Sequence, residues 1–167
     1  MKAKDLMASN VRTVRSNQTL ADAARVLWDC DCGALPVLDE SGERAIGMLT
    51  DRDICMAAWS RNLPLSEIQV SSVHSQDLVA CVEDSDIDDV EQLMRRKQVR
   101  RIPVVDSAQR VVGIVSLADI ARSVGTQPRS ASSMLSATDV TATLANICRR
   151  ERGSDGLRQD GRERQSI

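Results

Sequence analysis

The sequence predicts an α+β fold in which one β-α-β-β-α unit is used twice in tandem. Three observations carry that prediction. Residues 47–53, Gly-Met-Leu-Thr-Asp-Arg-Asp, return as residues 113–119, Gly-Ile-Val-Ser-Leu-Ala-Asp, at an offset of 66. Leu35-Pro36-Val37 returns as Ile102-Pro103-Val104 at an offset of 67, in the ungapped register that sets Met7 against His74, Leu20 against Ile87 and Asp22 against Asp89. The change of offset falls in a polar turn, where chains tolerate a deletion. Self-similarity held in one register over about fifty residues marks a duplication.

Each copy opens with a short extended piece, residues 11–14 and 78–82. A helix follows. In the first copy Thr19 and Asp22 have the spacing of a capping box, and Leu20, Ala23, Ala24 and Leu27 share one face. In the second, Asp86 stands at the cap position and Ile87, Val90, Leu93 and Met94 form the stripe. Two short apolar runs around a polar turn then read as hairpin strands: residues 34–38 with 45–49, and 102–105 with 111–115. A closing helix spans residues 51–60 in one copy and 117–124 in the other. The units divide the chain at 1–60 and 61–125. Beyond them, residues 126–137, with Pro128 and several serines, read as a linker. Residues 138–150 read as a short helix capped by Thr138 or Asp139, with Val140, Leu144, Ile147 and Cys148 on one side. Residues 151–167, rich in Gly, Arg and acids, read as a disordered tail.

Composition narrows the function. Two Trp and no Phe or Tyr leave Val, Ile, Leu, Ala and Met to build the core, and leave almost no platform for stacking nucleic-acid bases. A net charge of −2 supplies no global field toward nucleic acid or anionic membrane. No stretch approaches the ~18 continuous apolar residues of a membrane span. Lys2, Lys4 and Asp5 precede any apolar run, which does not read as a secretory signal. Five cysteines, an odd number, suit reduced thiols, so the expected compartment is the cytoplasm.

Thr50 and Ser116 stand at strand-to-helix corners, each followed three residues later by an aspartate, Asp53 and Asp119. That spacing closes a capping box, in which hydroxyl and carboxylate satisfy free backbone N–H groups. It also suits a nucleotide seat. A helix N-terminus offers unpaired N–H groups and partial positive charge to a phosphate, and a nearby carboxylate accepts the hydroxyl hydrogens of a ribose.

The element order, the two Leu/Ile-Pro-Val-x-Asp strands and the two Gly-x-x-Thr/Ser-x-x-Asp corners resemble the CBS motif, paired as a Bateman module, over roughly residues 1–125. The resemblance implies two repeats packed sheet against sheet about a pseudo-twofold axis. It implies clefts that take adenosine-containing ligands such as AMP, ADP, ATP, S-adenosylmethionine or NAD. By that resemblance Asp53 and Asp119 hold the ribose, and Thr50 and Ser116 face the phosphate. The first strands line the adenine, through Val11, Thr13 and Val14 or through Val79, Ala80 and Cys81. One of each alternating pair, Ile46 or Met48 and Val112 or Ile114, joins them, although core packing gives the same alternation. Arg100 and Arg101 match a basic position that reaches phosphate; the first repeat has Cys32-Gly33 there, with Arg52 in partial compensation. The resemblance further implies a regulatory protein with no required cofactor, acting on an unknown effector. It would form a homodimeric disc through helix faces around Ile54, Ala57, Ile120 and Val124.

Two further features have simpler explanations. The basic run at residues 95–101 lies at an expected helix C-terminus, where cations complement the dipole, so nucleic acid is not an expected partner. Cys30, Cys32 and the sole histidine, His74, leave a thiol- or metal-responsive switch open as an alternative, beside an interaction module that binds no nucleotide. Zinc asks for about four ligands, and the sequence has no second closely spaced Cys or His pair. No P-loop, G-x-S-x-G or zinc-protease motif occurs, so no enzyme is expected.

Overall fold

The computed structural model describes residues 1–126 and 136–148, with 124–126 described by backbone alone. Most of the expected linker and all of the expected tail lie outside the described residues. In the first repeat, β1 (Val14–Arg15) runs parallel to β2 (Ala34–Leu38), which pairs antiparallel with β3 (Ala45–Thr50). Helices α2 (Leu20–Asp29) and α3 (Asp51–Arg61) pack beside that sheet. The second repeat repeats it with β4 (Cys81–Val82), β5 (Arg101–Val105), β6 (Val111–Ser116), α4 (Ile87–Lys97) and α5 (Leu117–Thr126). The duplication reaches the backbone. Both hairpins carry a bulge at the same place, Val37/Leu38 and Val104/Val105. Left-handed residues recur in register, Asp31 with Gln98 and Gly42 with Gln109.

The first strands are shorter than the sequence suggests, because the chain ahead of each belongs to the other repeat. Helix α1 (Ala3–Leu6) and the flanking Met1 and Met7 pack on the second core, where Ala3 is fully buried. Ala8 and Ile114 exchange backbone bonds of 2.9 and 3.0 Å. Conversely, the 3₁₀ turns Leu65–Glu67 and Val70–Ser72 deliver Ile68 and Val70 to the first core, and Ser75 N donates to Met48 O at 2.9 Å. The repeated glycines are the clearance for these crossings. A Cβ on Gly47 would lie 2.2 Å from the Ser75 carbonyl oxygen, and one on Gly113 would lie 2.3 Å from the Met7 sulfur.

Each core is filled by the aliphatic stripes anticipated, Leu20, Leu27, Leu35, Val37 and Leu49 in one and Ile87, Val90, Met94, Ile102 and Val104 in the other. Burial of that many aliphatic side chains, each worth about 1.5–3 kcal/mol, is the main force holding the repeats. Ile54, Ala57 and Ile120 belong to these cores, so they do not form the exposed helix face expected for a disc; the Val124 side chain lies outside the described residues.

Caps divide the expectations. Thr19 and Asp22 cap α2 reciprocally. Asp86 stands at the α4 cap position but makes no side-chain cap; the crossing N-terminus brings Lys2 Nζ to it at 3.0 Å. The C-terminal helix α6 (Ala137–Ile147) is capped by Ser136, not by Thr138 or Asp139; Asp139 is the acid that answers it. Helix α6 packs against α4 and α5. Arg95 holds it, Nε donating to Thr143 Oγ1 at 3.1 Å and Nη2 to the Asp139 carbonyl at 3.4 Å, while Nη2 also pairs with Glu91 at 2.9 Å. Thr143 is fully buried and Glu91 is 2% exposed. Among the described residues no helix is long and apolar enough to cross a membrane.

Candidate functional site

Strands β3 and β6 deliver Thr50 and Ser116 to equivalent corners. Thr50 Oγ1 accepts from Asp53 N at 3.2 Å and donates to Asp53 Oδ2 at 2.6 Å, an oxygen that also accepts from Thr50 N at 2.9 Å. Ser116 and Asp119 repeat this at 3.2, 2.5 and 2.8 Å. The second carboxylate oxygens differ. Asp119 Oδ1 is paired with Arg122, whereas Asp53 Oδ1 takes no hydrogen bond among the described residues, its helix carrying Met56 where α5 carries Arg122.

Both corners open on one groove of about 650 Å³ between the repeats. Thr50, Asp51 and Arg52 line it from the start of α3, and Ser116, Leu117 and Ala118 from the start of α5. Arg100 and Arg101 line it from the approach to β5, and Val140 and Leu144 from α6. Three guanidinium groups thus face one carboxylate. Asp51 Oδ1 accepts from Arg52 N at 2.7 Å and so offsets the positive end of α3; α5 has Leu117 in that place and keeps its end uncovered. The Arg101 guanidinium spans the repeats and reaches toward the first corner, where a Cβ on Gly33 would stand 3.4 Å from Asp51 Oδ2 and 3.7 Å from Arg101 Nη2. The ladder pairs Ala34 with Thr50 as it pairs Arg101 with Ser116. Gly33-Ala34, not Cys32-Gly33, therefore hold the place of Arg100-Arg101; the bulged turn does not alter that count.

The family model of the CBS domain matches residues 3–60 and again residues 70–125. The chain belongs to the CBS-domain family. The CBS domain-containing protein YhcV of Bacillus subtilis is 39% identical over 118 residues, covering 71% of this chain and 81% of YhcV. Among solved structures, the CBS domain pair of protein MJ0100 in complex with 5′-methylthioadenosine and S-adenosyl-L-methionine is 30% identical with a TM-score of 0.65, covering 73% of this chain and 98% of that one. Hypoxic Response Protein I with two coordinated zinc ions is 34% identical with a TM-score of 0.67, covering 77% and 100%; the curated Hypoxic response protein 1 is from Mycobacterium tuberculosis.

Of the residues singled out in the sequence, Thr50, Ser116, Arg100, Arg101 and Met48 line the groove between the CBS repeats. Asp53 and Asp119 sit one turn into their helices, outside its lining, with Oδ2 committed to the caps. Thr13, with Val11, lines a second cavity of about 580 Å³ beside the hairpin turns, where Arg44 and Arg110 also stand. Ala80 lies half-buried ahead of β4, and Ile114 spends its backbone groups on Ala8. Sequence reasoning missed Gln98, Val99 and the α6 residues as groove walls. Their only local mark is the left-handed Gln98 that ends α4, a conformation with no signature when the residue is glutamine.

Cys30 is exposed at the end of α2, and Cys32 is half-buried, its thiol pushed up chiefly by burial and next by Cys30. His74 is buried against Gly47, with Nδ1 2.7 Å from the Ser75 carbonyl oxygen. Among the described residues, no three His, Cys, Asp or Glu side chains are grouped to hold a metal ion. Burial raises the Cys81 thiol to about 11, which keeps it protonated and unreactive.

Proposed function

We propose that this CBS pair is a sensor of adenosine-containing ligands that regulates another protein, with the groove between its repeats as the ligand seat. One observation carries the reading: two helix N-termini, one from each repeat, converge with Arg52, Arg100 and Arg101 on a single groove. A phosphate or other anionic end sits between the two corners, on Arg100, Arg101 and the start of α5. The ribose hydroxyls reach a corner carboxylate, for which Asp53 has an oxygen to spare. Apolar groups such as Met48 meet the base. The ligands of MJ0100, which carry adenosine, support the class. A ligand that touches both repeats shifts their packing by as much as it prefers one arrangement, and an effector chain reads the shift. The module works as a homodimer and performs no catalysis.

Calorimetric titration of the purified protein with AMP, ATP, S-adenosylmethionine, 5′-methylthioadenosine and NAD tests this. Micromolar binding by at least one is expected. Arg101→Ala should weaken the phosphate-bearing ligands about tenfold and leave 5′-methylthioadenosine unchanged. Asp53→Asn and Asp119→Asn, which keep the cap geometry, identify the working corner. Silence from the whole panel, with no nucleotide in an extract of the purified protein, overturns the reading and leaves both corners as caps.

A further inference from the structure

Two of the groove's apolar side chains come from neither repeat. Val140 and Leu144 stand one turn apart on α6 and line the groove together. Val140 and Ile147 of that helix pack on the second core, while Leu144 is 46% exposed beside the groove. An apolar side chain that its own core leaves bare, on the wall of a groove, is available to be covered by whatever occupies the groove.

The helix is also held in a defined place. Arg95 anchors it through the Thr143 hydroxyl and the Asp139 carbonyl, and the same guanidinium satisfies the buried Glu91 carboxylate. Such directional bonds fix the register of a docked helix, which apolar contact alone leaves free to slide. The first repeat lacks the anchor. The offset of 67 sets Ala24 and Trp28 where Glu91 and Arg95 stand, an alanine and a single indole N–H in place of the carboxylate and the fork. The likeness of the repeats is thus broken at α6: the groove has a third wall on the side of the second repeat and, among the described residues, none on the side of the first.

We infer that α6 is part of the ligand seat, with the adenosine of the ligand lying on Val140 and Leu144 while Arg100 and Arg101 hold its anionic end. Arg95 stands outside the groove lining, so it acts on the ligand only by positioning α6. Ligand and helix then hold one another. Whatever factor the docked helix adds to the ligand's affinity, the bound ligand adds to the docking of the helix. The ligand's presence is thereby carried to α6 and to the α4 and α5 surface that α6 covers. The wall rests on the groove being the ligand seat, as read above.

The full chain, Leu144→Ala and Arg95→Ala are titrated calorimetrically with AMP and with 5′-methylthioadenosine, and hydrogen exchange across residues 141–147 is read with and without each at saturation. In Leu144→Ala both compounds should bind about tenfold more weakly, whereas Arg101→Ala spares 5′-methylthioadenosine. Exchange in ligand-free Leu144→Ala should match that of the unaltered protein, because this side chain is exposed. Arg95→Ala should weaken both compounds through the loosened helix. In the unaltered protein each compound should slow exchange in α6 about tenfold. Unchanged affinity in both variants, with α6 exchange that neither compound slows, overturns the wall and leaves the seat. Tighter binding in Arg95→Ala, or binding seen only there, makes α6 a plug in the groove and likewise overturns the wall alone. Silence from all three proteins overturns seat and wall together.

Discussion

At the end of β3, Thr50 and Asp53 close a capping box, and at the end of β6, Ser116 and Asp119 close the same box with bonds that agree within about 0.1 Å. The residues beside the boxes do not agree. Asp51 and Arg52 follow the first corner and Leu117 and Ala118 the second; Gly33-Ala34 stand across from one and Arg100-Arg101 across from the other. Among the described residues the helix face of the first repeat leaves Trp28 exposed, and that of the second lies under α6. After duplication, then, the cap and the crossing glycine hold the backbone constant. Charge and cover vary at positions the fold does not need, which makes one groove with two unlike ends.

The comparison is broken hardest at the crossings. In Gly47→Ala the new methyl meets a backbone carbonyl that cannot swing away, whereas in Gly113→Ala it meets mainly the flexible end of Met7. Denaturant unfolding should show a loss of about 3 kcal/mol or more for the first and about 1 kcal/mol for the second. Equal losses would mean that the two crossings are equally rigid.

Next comes the helix face. Arg95→Ala leaves the buried Glu91 carboxylate without its partner and releases the α6 anchor, a loss of about 2 kcal/mol given that Arg95 is itself partly exposed. Hydrogen exchange across residues 136–148 should rise with it. The matching Trp28→Ala, in dilute protein, should stay within about 0.5 kcal/mol. A smaller test sharpens the likeness. Thr50→Ala and Ser116→Ala each remove one cap and should lose about 1 kcal/mol apiece; a clear inequality would show that one corner is held by more than its box.

The smallest effect is a pH dependence shared by the two hairpin turns. The Ser41 hydroxyl and the Glu43 N–H hold the Asp39 carboxyl below its ordinary 3.8, and the Arg110 N–H does so for Asp106. A lowered folded value means that each contribution is present above the ordinary value and is lost as pH falls through the folded one. The melting temperature should therefore fall as the solution is taken below about pH 4. Asp39→Asn and Asp106→Asn should flatten that fall to a similar, small degree, because both groups are solvated.

The hairpins and most helix limits were legible to within a residue or two, since alternating apolar residues, polar turns and a hydroxyl-acid pair act within a few positions of themselves. Where the reading failed, a distant partner had intervened. Asp86 looks like a cap, and Lys2 takes it; Ile54 and Ile120 look like an outer face, and the closing helices turn them into the cores. Ser136, not its neighbours, caps α6, and Ser136-x-x-Asp139 repeats the spacing of the two corners.

The sequence by itself determined the duplication, through its repeated spacing, and the order of elements and the two corners, because these are set by residues close together in the chain. Only the tertiary structure decided that each leading segment completes the other repeat, that Gly47 and Gly113 are there for clearance, that Arg101 spans the groove and that α6 covers one helix face. Those outcomes depend on which surfaces meet across long stretches of chain, as Met48 meets Ser75 at a separation of 27 and Arg95 meets Thr143 at a separation of 48. One chain read alone carries no periodicity that encodes such a meeting.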